Sequence, residues 1–107
     1  MPARIVYATF PSVAEAEEMG RALVEARLVA CANILPEMVS IYRWEGKIER
    51  GTEAVMMLKT TAERAAEVVE AVRAAHPYDV PAIVVLPLEG GLPAYLAWIA
   101  GEVAAAG

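Results

Sequence analysis

The alternation of apolar and polar positions along the chain predicts seven secondary-structure elements in the order β-α-β-β-α-β-α. Residues 3–10 are rich in β-branched and aromatic side chains and predict a first strand. Ser12 and Glu15 have the spacing of a helical capping box, so we expect a helix to begin there. Its apolar stripe fades near Arg27-Leu28, where we expect the helix to end.

The middle of the chain predicts two strands joined as one long antiparallel hairpin. The apolar segment 29–35 is interrupted by Pro36-Glu37. We expect a bulge or bend there, because proline cannot donate a hydrogen bond to a sheet ladder. The hairpin proper runs from Ser40 through a tight turn at Glu45-Gly46 and returns to Thr60.

The length of this hairpin predicts self-association. Each arm spans roughly 33 Å at about 3.3 Å per residue, whereas a domain of this size has a radius of gyration of about 13 Å. The tip must therefore extend beyond its own subunit. It carries Ile41, Tyr42, Trp44 and Ile48, and water penalises such an apolar surface. We expect an obligate oligomer with these four side chains at the subunit interface.

The second half of the chain predicts a helix, a strand and a final helix. The segment Thr60–Glu63 repeats the capping-box spacing, and Pro77 ends the helix that follows. The continuous apolar run 82–88 predicts a fully buried central strand. Pro93 suits the first position of the last helix. Its apolar positions are Tyr95, Trp98, Ile99 and Val103, and those of the preceding helix are Ala65, Val69, Val72 and His76.

This order predicts one α+β domain over residues 1–107. The first six elements match the ferredoxin-like βαββαβ order, an antiparallel sheet with helices on one face and a long central hairpin, and the last helix is an addition. The net charge of −5 makes nucleic acid and anionic membranes poor partners. No signal peptide and no membrane span of about 20 residues is visible. With a single cysteine, these features favour the cytoplasm.

Few residues offer chemistry. With one histidine and one cysteine, nucleophile–base pairs are almost unavailable, so we do not expect an enzyme. His76 follows a helix and is either a metal ligand or a capping and packing residue. The apolar neighbours of Cys31 favour a buried, inert thiol. Glu53 and Lys59 share one face of a strand, and Lys59 there requires a carboxylate partner, a bound anion or a path to water, with structural pairing and ligand contact both open as its role.

Five sequence blocks, in order and at compatible spacing, carry a resemblance to a known family. They are Ala30–Pro36 (ACANILP), Ser40–Glu49 (SIYRWEGKIE), Met57–Thr61 (MLKTT), His76–Pro81 (HPYDVP) and Tyr95–Ile99 (YLAWI). With these blocks the chain resembles the CutA family of divalent-cation-tolerance proteins over nearly its whole length. The resemblance implies a ferredoxin-like fold, a homotrimer built by hairpins that reach neighbouring subunits, and a cytoplasmic role in tolerance to copper and other divalent metals.

One departure from the family pattern concerns copper. Copper-associated positions of the family include a cysteine in the first strand and a histidine doublet before Pro-Tyr. Here Ala8 and Ala75 occupy the corresponding positions, which leaves His76 as the single candidate metal ligand. We therefore expect weak binding of Cu²⁺ or another divalent cation, and no cofactor requirement for folding.

Other proteins of similar topology suggest alternative roles. A regulator resembling the trimeric PII signalling proteins would bind a small anionic metabolite in a cleft between subunits. The candidate cleft residues are Asn33, Glu53, Lys59, Tyr95 and Trp98. An RNA-binding role is disfavoured, because the third strand lacks stacking aromatic residues and the charge is negative. A small acyl-phosphate hydrolase is a remote enzymatic alternative.

Overall fold

The computed structural model describes residues 2–105 and has the seven elements in the predicted order. They are β1 (Ala3–Phe10), α1 (Val13–Glu25), β2 (Cys31–Trp44), β3 (Lys47–Thr61), α2 (Ala65–Ala75), β4 (Ile83–Pro87) and α3 (Pro93–Glu102). The four strands form one antiparallel sheet in the order β2-β3-β1-β4. This confirms the predicted ferredoxin-like α+β fold.

Helix α1 begins and ends through local hydrogen bonds. The Ser12 side chain accepts a hydrogen bond from the Glu15 amide at 3.2 Å, which confirms the predicted N-cap. At the other end the Arg27 amide donates to the Val24 carbonyl, and the Leu28 amide donates to the Leu23 carbonyl. With Arg27 at φ 59°, these two bonds form a Schellman motif that closes the helix at the predicted place.

Helix α2 does not begin at the predicted capping box. Thr60 and Thr61 are the last residues of β3, and the helix starts at Ala65 after a turn, without a side-chain cap. The prediction was wrong because Thr60 is paired with β1 and its hydroxyl donates to the Leu28 carbonyl at 2.7 Å. The buried side of α2 also includes Val68, which the predicted stripe omitted.

The hairpin has the predicted bulge and turn. The pairing of β2 with β3 shifts between Leu35 and Met38, at the position of Pro36-Glu37. At the tip, Glu45 and Gly46 have φ 49° and 79°, the left-handed values that a tight two-residue hairpin turn requires. The molecule measures 44 × 25 × 21 Å, and residues 41–50 are all exposed at the tip.

Strand β4 lies at an edge of the sheet rather than in its centre. The central positions belong to β3 and β1, so the prediction of a fully buried central strand was wrong. In a single chain Val84, Val85 and Leu86 are 51%, 40% and 43% exposed. Pro87 is consistent with an edge, because proline removes a donor that a central strand needs.

The two faces of the sheet differ in how they are covered. Alternate residues of β1 and β3, among them Val6 and Met56, form the main core with α1 and α2. Gly20 lets α1 approach closely, since a Cβ there would lie 2.9 Å from the Ala32 Cβ and 3.0 Å from the Met56 Sδ. The other face, which we call the open face, is partly covered by α3, whose Ile99 is fully buried near Ala3.

Candidate functional site

Five polar or aromatic side chains meet on the open face where α3 crosses β3. The Lys59 Nζ donates a hydrogen bond to the Tyr95 hydroxyl at 3.0 Å. Cys31 is the cross-strand partner of Lys59, and its Sγ lies 3.8 Å from the same hydroxyl. The Cys31 thiol also donates to the Asn33 Oδ1 at 3.6 Å. Together with Trp98, whose ring stacks on Tyr95, these residues form what we call the Lys59 cluster.

The sheet register and α3 position this cluster. Lys59 and Cys31 point to the open face because their neighbours Leu58 and Ala32 belong to the core on the opposite face. Helix α3 carries the two aromatic residues. Its Pro93 occupies the start of the helix, and the rings of Tyr95 and Trp98, three residues apart, stack with centroids 5.7 Å apart at 22°.

Within residues 2–105 the ammonium group of Lys59 has no carboxylate partner. The ion pairs within residues 2–105 are Arg27–Glu102, Arg64–Glu67 and Arg73–Glu70. The hydrogen bond with Tyr95 raises the pKa of Lys59 above its ordinary value, and the nearby Cys31 contributes in the same direction. Lys59 therefore carries its positive charge at neutral pH. Two roles were left open for this residue, a structural ion pair and contact with a ligand, and the geometry does not support the ion pair.

Cys31 differs from its prediction. Its thiol was expected to be buried among apolar neighbours, but the residue is only half-buried and its sulfur contacts polar groups. The error has a clear cause: Ala30 and Ala32 lie beside it along the chain, whereas its surroundings on the open face come from β3 and α3. Sequence neighbours in a strand do not report the face on which a side chain lies.

Glu53 lies on the open face but far from the Lys59 cluster. Six residues of one strand separate Glu53 from Lys59, a distance of about 20 Å. The Glu53 carboxylate accepts hydrogen bonds from Ser40 at 2.7 Å and from Thr9 at 3.4 Å. The pKa of Tyr78 is raised, chiefly by burial and then by the charge of Glu53. The structure thus separates Glu53 from the other four predicted cleft residues within one subunit.

His76 is buried, and both of its ring nitrogens contact the backbone. Its Nδ1 accepts a hydrogen bond from the Tyr78 amide at 3.1 Å, which leaves the proton on Nε2 to donate to the Thr9 carbonyl at 2.6 Å. Its ring packs between Phe10 and Tyr78. This geometry supports the capping and packing role. Metal binding at His76 stays a prediction, and it requires that one of these hydrogen bonds be broken.

The structure provides no preformed metal centre among residues 2–105. That part of the chain contains no group of three or more His, Cys, Asp or Glu side chains that could hold a metal ion. Ala8 is fully buried in the core, and Ala75 is the last residue of α2. Neither side chain is able to coordinate a metal.

The predicted interface residues all lie on the uncovered hairpin. Ile41, Tyr42, Trp44 and Ile48 are 71%, 48%, 57% and 63% exposed in the single chain. They belong to β2 and β3 beyond the bulge, where no helix covers either face. Sequence reasoning missed a second exposed apolar surface, that of β4, because an apolar run was interpreted as buried. The proline within that run was the signal for an edge strand.

The fold and this distribution of residues define a small ferredoxin-like protein with a long exposed hairpin. Comparison with known families identifies the family to which this protein belongs. Residues 4–102 match the family described as CutA1 divalent ion tolerance protein, and the chain belongs to that family.

Named relatives and solved structures agree with this assignment. A Protein CutA homolog from Xenopus laevis is 43% identical over 93 residues, which cover 87% of this chain and 62% of the relative. The chain thus spans less than two thirds of that relative's length. The crystal structure of CutA1 from Oryza sativa has a TM-score of 0.94 at 33% identity, covering 99% of this chain and 97% of that one. The structure titled periplasmic divalent cation tolerance protein CutA from Archaeoglobus fulgidus has a TM-score of 0.91 at 43% identity, covering 95% and 99%.

These names describe tolerance proteins rather than enzymes. Within residues 2–105 no helix has both the length and the apolar character needed to cross a membrane.

Proposed function

We propose that this chain is a homotrimeric, cytosolic protein of divalent-cation tolerance that binds copper or another divalent cation weakly. The observation that carries the proposal is the uncovered apolar surface of the hairpin tip. Four large side chains there, from Ile41 to Ile48, are about half to three quarters exposed. A monomer gains nothing from such a surface, whereas a neighbouring subunit buries it.

The two edges of the sheet support assembly into a closed ring. Strands β2 and β4 are both edges, and each has a free row of backbone donors and acceptors. Pairing β2 of one subunit with β4 of the next is a head-to-tail contact, which forms a ring when its rotation closes. The apolar side chains of β4, such as Val84 and Leu86, then lie next to the hairpin of a neighbour. Three subunits are the number implied by the resemblance to the CutA family.

Light scattering over a dilution series tests the assembly. We expect the mass of three chains at every concentration at which the protein is folded, and no folded monomer. A folded monomer that is stable at micromolar concentration contradicts the proposal. Fractionation of cells that produce the native chain tests the cytosolic location, for which the supporting feature is the single cysteine.

Weak metal binding follows from the state of the candidate ligand. Cu²⁺ prefers imidazole nitrogen among the available ligands, but both nitrogens of His76 are hydrogen-bonded to the backbone. Alanine at positions 8 and 75 removes two further ligands that the family pattern supplies. Calorimetry on the wild type, His76→Ala and the exposed-loop control Val80→Ala decides the role of His76. Equal copper binding in all three removes His76 from the site.

A second candidate function uses different residues. In the regulatory alternative, the chain binds a small anion at the Lys59 cluster, and the specific observation in its favour is an ammonium group without a carboxylate partner in the described part of the chain, residues 2–105. Thermal melting in the presence of metal salts and, separately, of small anions distinguishes the two functions. Stabilisation by cations alone favours the tolerance role, and stabilisation by anions alone favours regulation.

A further inference from the structure

The Lys59 cluster presents hydrogen-bond donors to the open face. One of the three Nζ hydrogens of Lys59 is used by the Tyr95 hydroxyl, and the others have no side-chain acceptor within residues 2–105. That hydroxyl accepts from Lys59, and because the Cys31 thiol hydrogen goes to Asn33, the Tyr95 hydroxyl hydrogen is left to donate to the Cys31 Sγ at 3.8 Å. The Asn33 Oδ1 accepts from the Cys31 thiol, which leaves the Asn33 amide nitrogen as a further donor of the cluster. Hydrogen-bond donors next to a positive charge favour an anion.

The amount of charge selects the class of anion. Lys59 is the only charged residue of the cluster, and the chain as a whole carries −5. A carboxylate has one negative charge and two acceptor oxygens, which match one ammonium group and its neighbouring donors. A phosphate at neutral pH carries close to two negative charges, and among residues 2–105 of one subunit the cluster has no further cation for the second one. The site therefore suits a carboxylate better than a phosphate.

The aromatic residues select the shape of the ligand. In the single chain Tyr95 and Trp98 are 39% and 43% exposed, and because the two rings stack on each other, a ligand near the ammonium group can stack only on an outer ring face of the pair. A planar ligand gains by such stacking, whereas a compact acid does not reach the ring face. We infer that the Lys59 cluster binds a small carboxylate through Lys59 and Asn33, with the Tyr95 hydroxyl holding the ammonium group in place, and prefers flat, conjugated acids. This inference rests on the second candidate function, the binding of a small anion at this cluster.

Titration of the full chain with four probes at constant ionic strength tests the inference. Sodium benzoate combines a carboxylate with a ring, sodium acetate lacks the ring, benzamide lacks the charge, and inorganic phosphate is a different anion. We expect benzoate to bind about three- to tenfold tighter than acetate because of ring stacking, and tighter than phosphate. We expect no binding of benzamide. The benzoate-induced change in tryptophan emission should persist in Trp44→Phe and disappear in Trp98→Phe.

Three variants identify the residues involved. Lys59→Met should weaken benzoate binding at least about tenfold, because it removes a charged hydrogen-bond donor. Tyr95→Phe keeps the ring and removes the hydroxyl, and should weaken binding about three- to tenfold. This conservative variant keeps the test valid if Lys59→Met does not fold. The control Arg21→Met removes the same charge from an exposed position of α1 and should leave the affinity unchanged.

The outcomes separate this inference from the function on which it rests. Equal benzoate affinity in the wild type, Lys59→Met and Tyr95→Phe overturns the assignment of the site. Phosphate binding that is tighter than benzoate binding and is lost in Lys59→Met overturns the carboxylate class but leaves the anion-binding function standing. If none of the anions binds at tens of millimolar, both fail.

Discussion

The substitution Trp44→Ala tests how much the hairpin tip contributes to assembly. The ring is 57% exposed in the single chain, and a tryptophan side chain presents up to about 200 Å² of surface. A neighbour that covers the ring completely removes about 120 Å² from water, which is worth about 3 kcal/mol per subunit at 25 cal/mol per Å². Three equivalent rings in a trimer therefore contribute about 9 kcal/mol.

This energy translates into a measurable shift of the dissociation midpoint. Nine kcal/mol corresponds to about six orders of magnitude in the equilibrium constant between three monomers and one trimer. The midpoint concentration varies as the square root of that constant, so it should rise by about three orders of magnitude. Sedimentation velocity from nanomolar to high micromolar concentration covers this range. The folded content should fall together with the trimer if no monomer is stable.

The matched control is Val24→Ala, which truncates an exposed apolar residue on α1, outside the hairpin tip. Its midpoint should be that of the wild type. A Trp44→Ala protein that dissociates at the wild-type concentration would refute the reasoning, because the ring would then remain in water in the assembled state. An equal loss in Val24→Ala would also refute it, since the effect would not be specific to the tip.

Three further predictions concern the stability of the fold and the charge of the site. In urea denaturation, Gly20→Ala should lower the free energy of unfolding by about 1–2 kcal/mol, because its Cβ meets two neighbours. Gly101→Ala, in open space on α3, should raise the free energy of unfolding by up to about 1 kcal/mol. Thr60→Val should lower the free energy of unfolding by about 1–2 kcal/mol, because it removes the hydrogen bond to the partly buried Leu28 carbonyl. Thr61→Val should be neutral or stabilising, because within residues 2–105 its buried hydroxyl has no partner. The Tyr95 hydrogen bond raises the pKa of Lys59 in the folded state. The stabilising contribution of this hydrogen bond is therefore present below the pKa of an unfolded lysine, about 10.4, and is lost as the pH rises through the pKa of Lys59 in the folded state. The stability difference between the wild type and Lys59→Met should accordingly be constant from pH 7 to 10 and shrink above that range; a difference that disappears below pH 9 would contradict this assignment.

Most of the fold could be predicted from local signals. The capping serine at Ser12, the proline that forces a bulge and the Glu45-Gly46 turn each act on the backbone within a few residues, and all three have the predicted effect. The second capping box failed because its spacing is also satisfied inside a strand. Thr60 belongs to β3 through pairing with β1, which lies more than fifty residues away in sequence. A local pattern contains no information about such a partner.

The site was predictable only in part, for the same reason. Lys59 was identified because an isolated lysine in an apolar strand needs an explanation. Its actual partner, Tyr95, comes from a helix 36 residues later. Glu53 and Lys59 share a strand face, and their carboxylate and ammonium groups were expected to act together. Strand geometry alone, however, separates two residues that are six positions apart by about 20 Å. Parity along a strand identifies a face and does not identify a neighbour.

The error about β4 and the exposure of the hairpin have a common explanation. An apolar run such as residues 82–88 is typical of a segment that is shielded from water. In a single chain, however, this run lies at an exposed edge. The hairpin tip also carries more apolar surface than a lone subunit covers. A stable interface buries about 800 Å² per partner. The exposed apolar side chains of the hairpin tip and of β4 lie along opposite edges of one sheet. Surfaces on opposite edges cannot cover each other within one subunit. They are, however, placed for a head-to-tail contact between subunits, so the apolar pattern of both segments is better accounted for by the proposed assembly than by the fold of one chain.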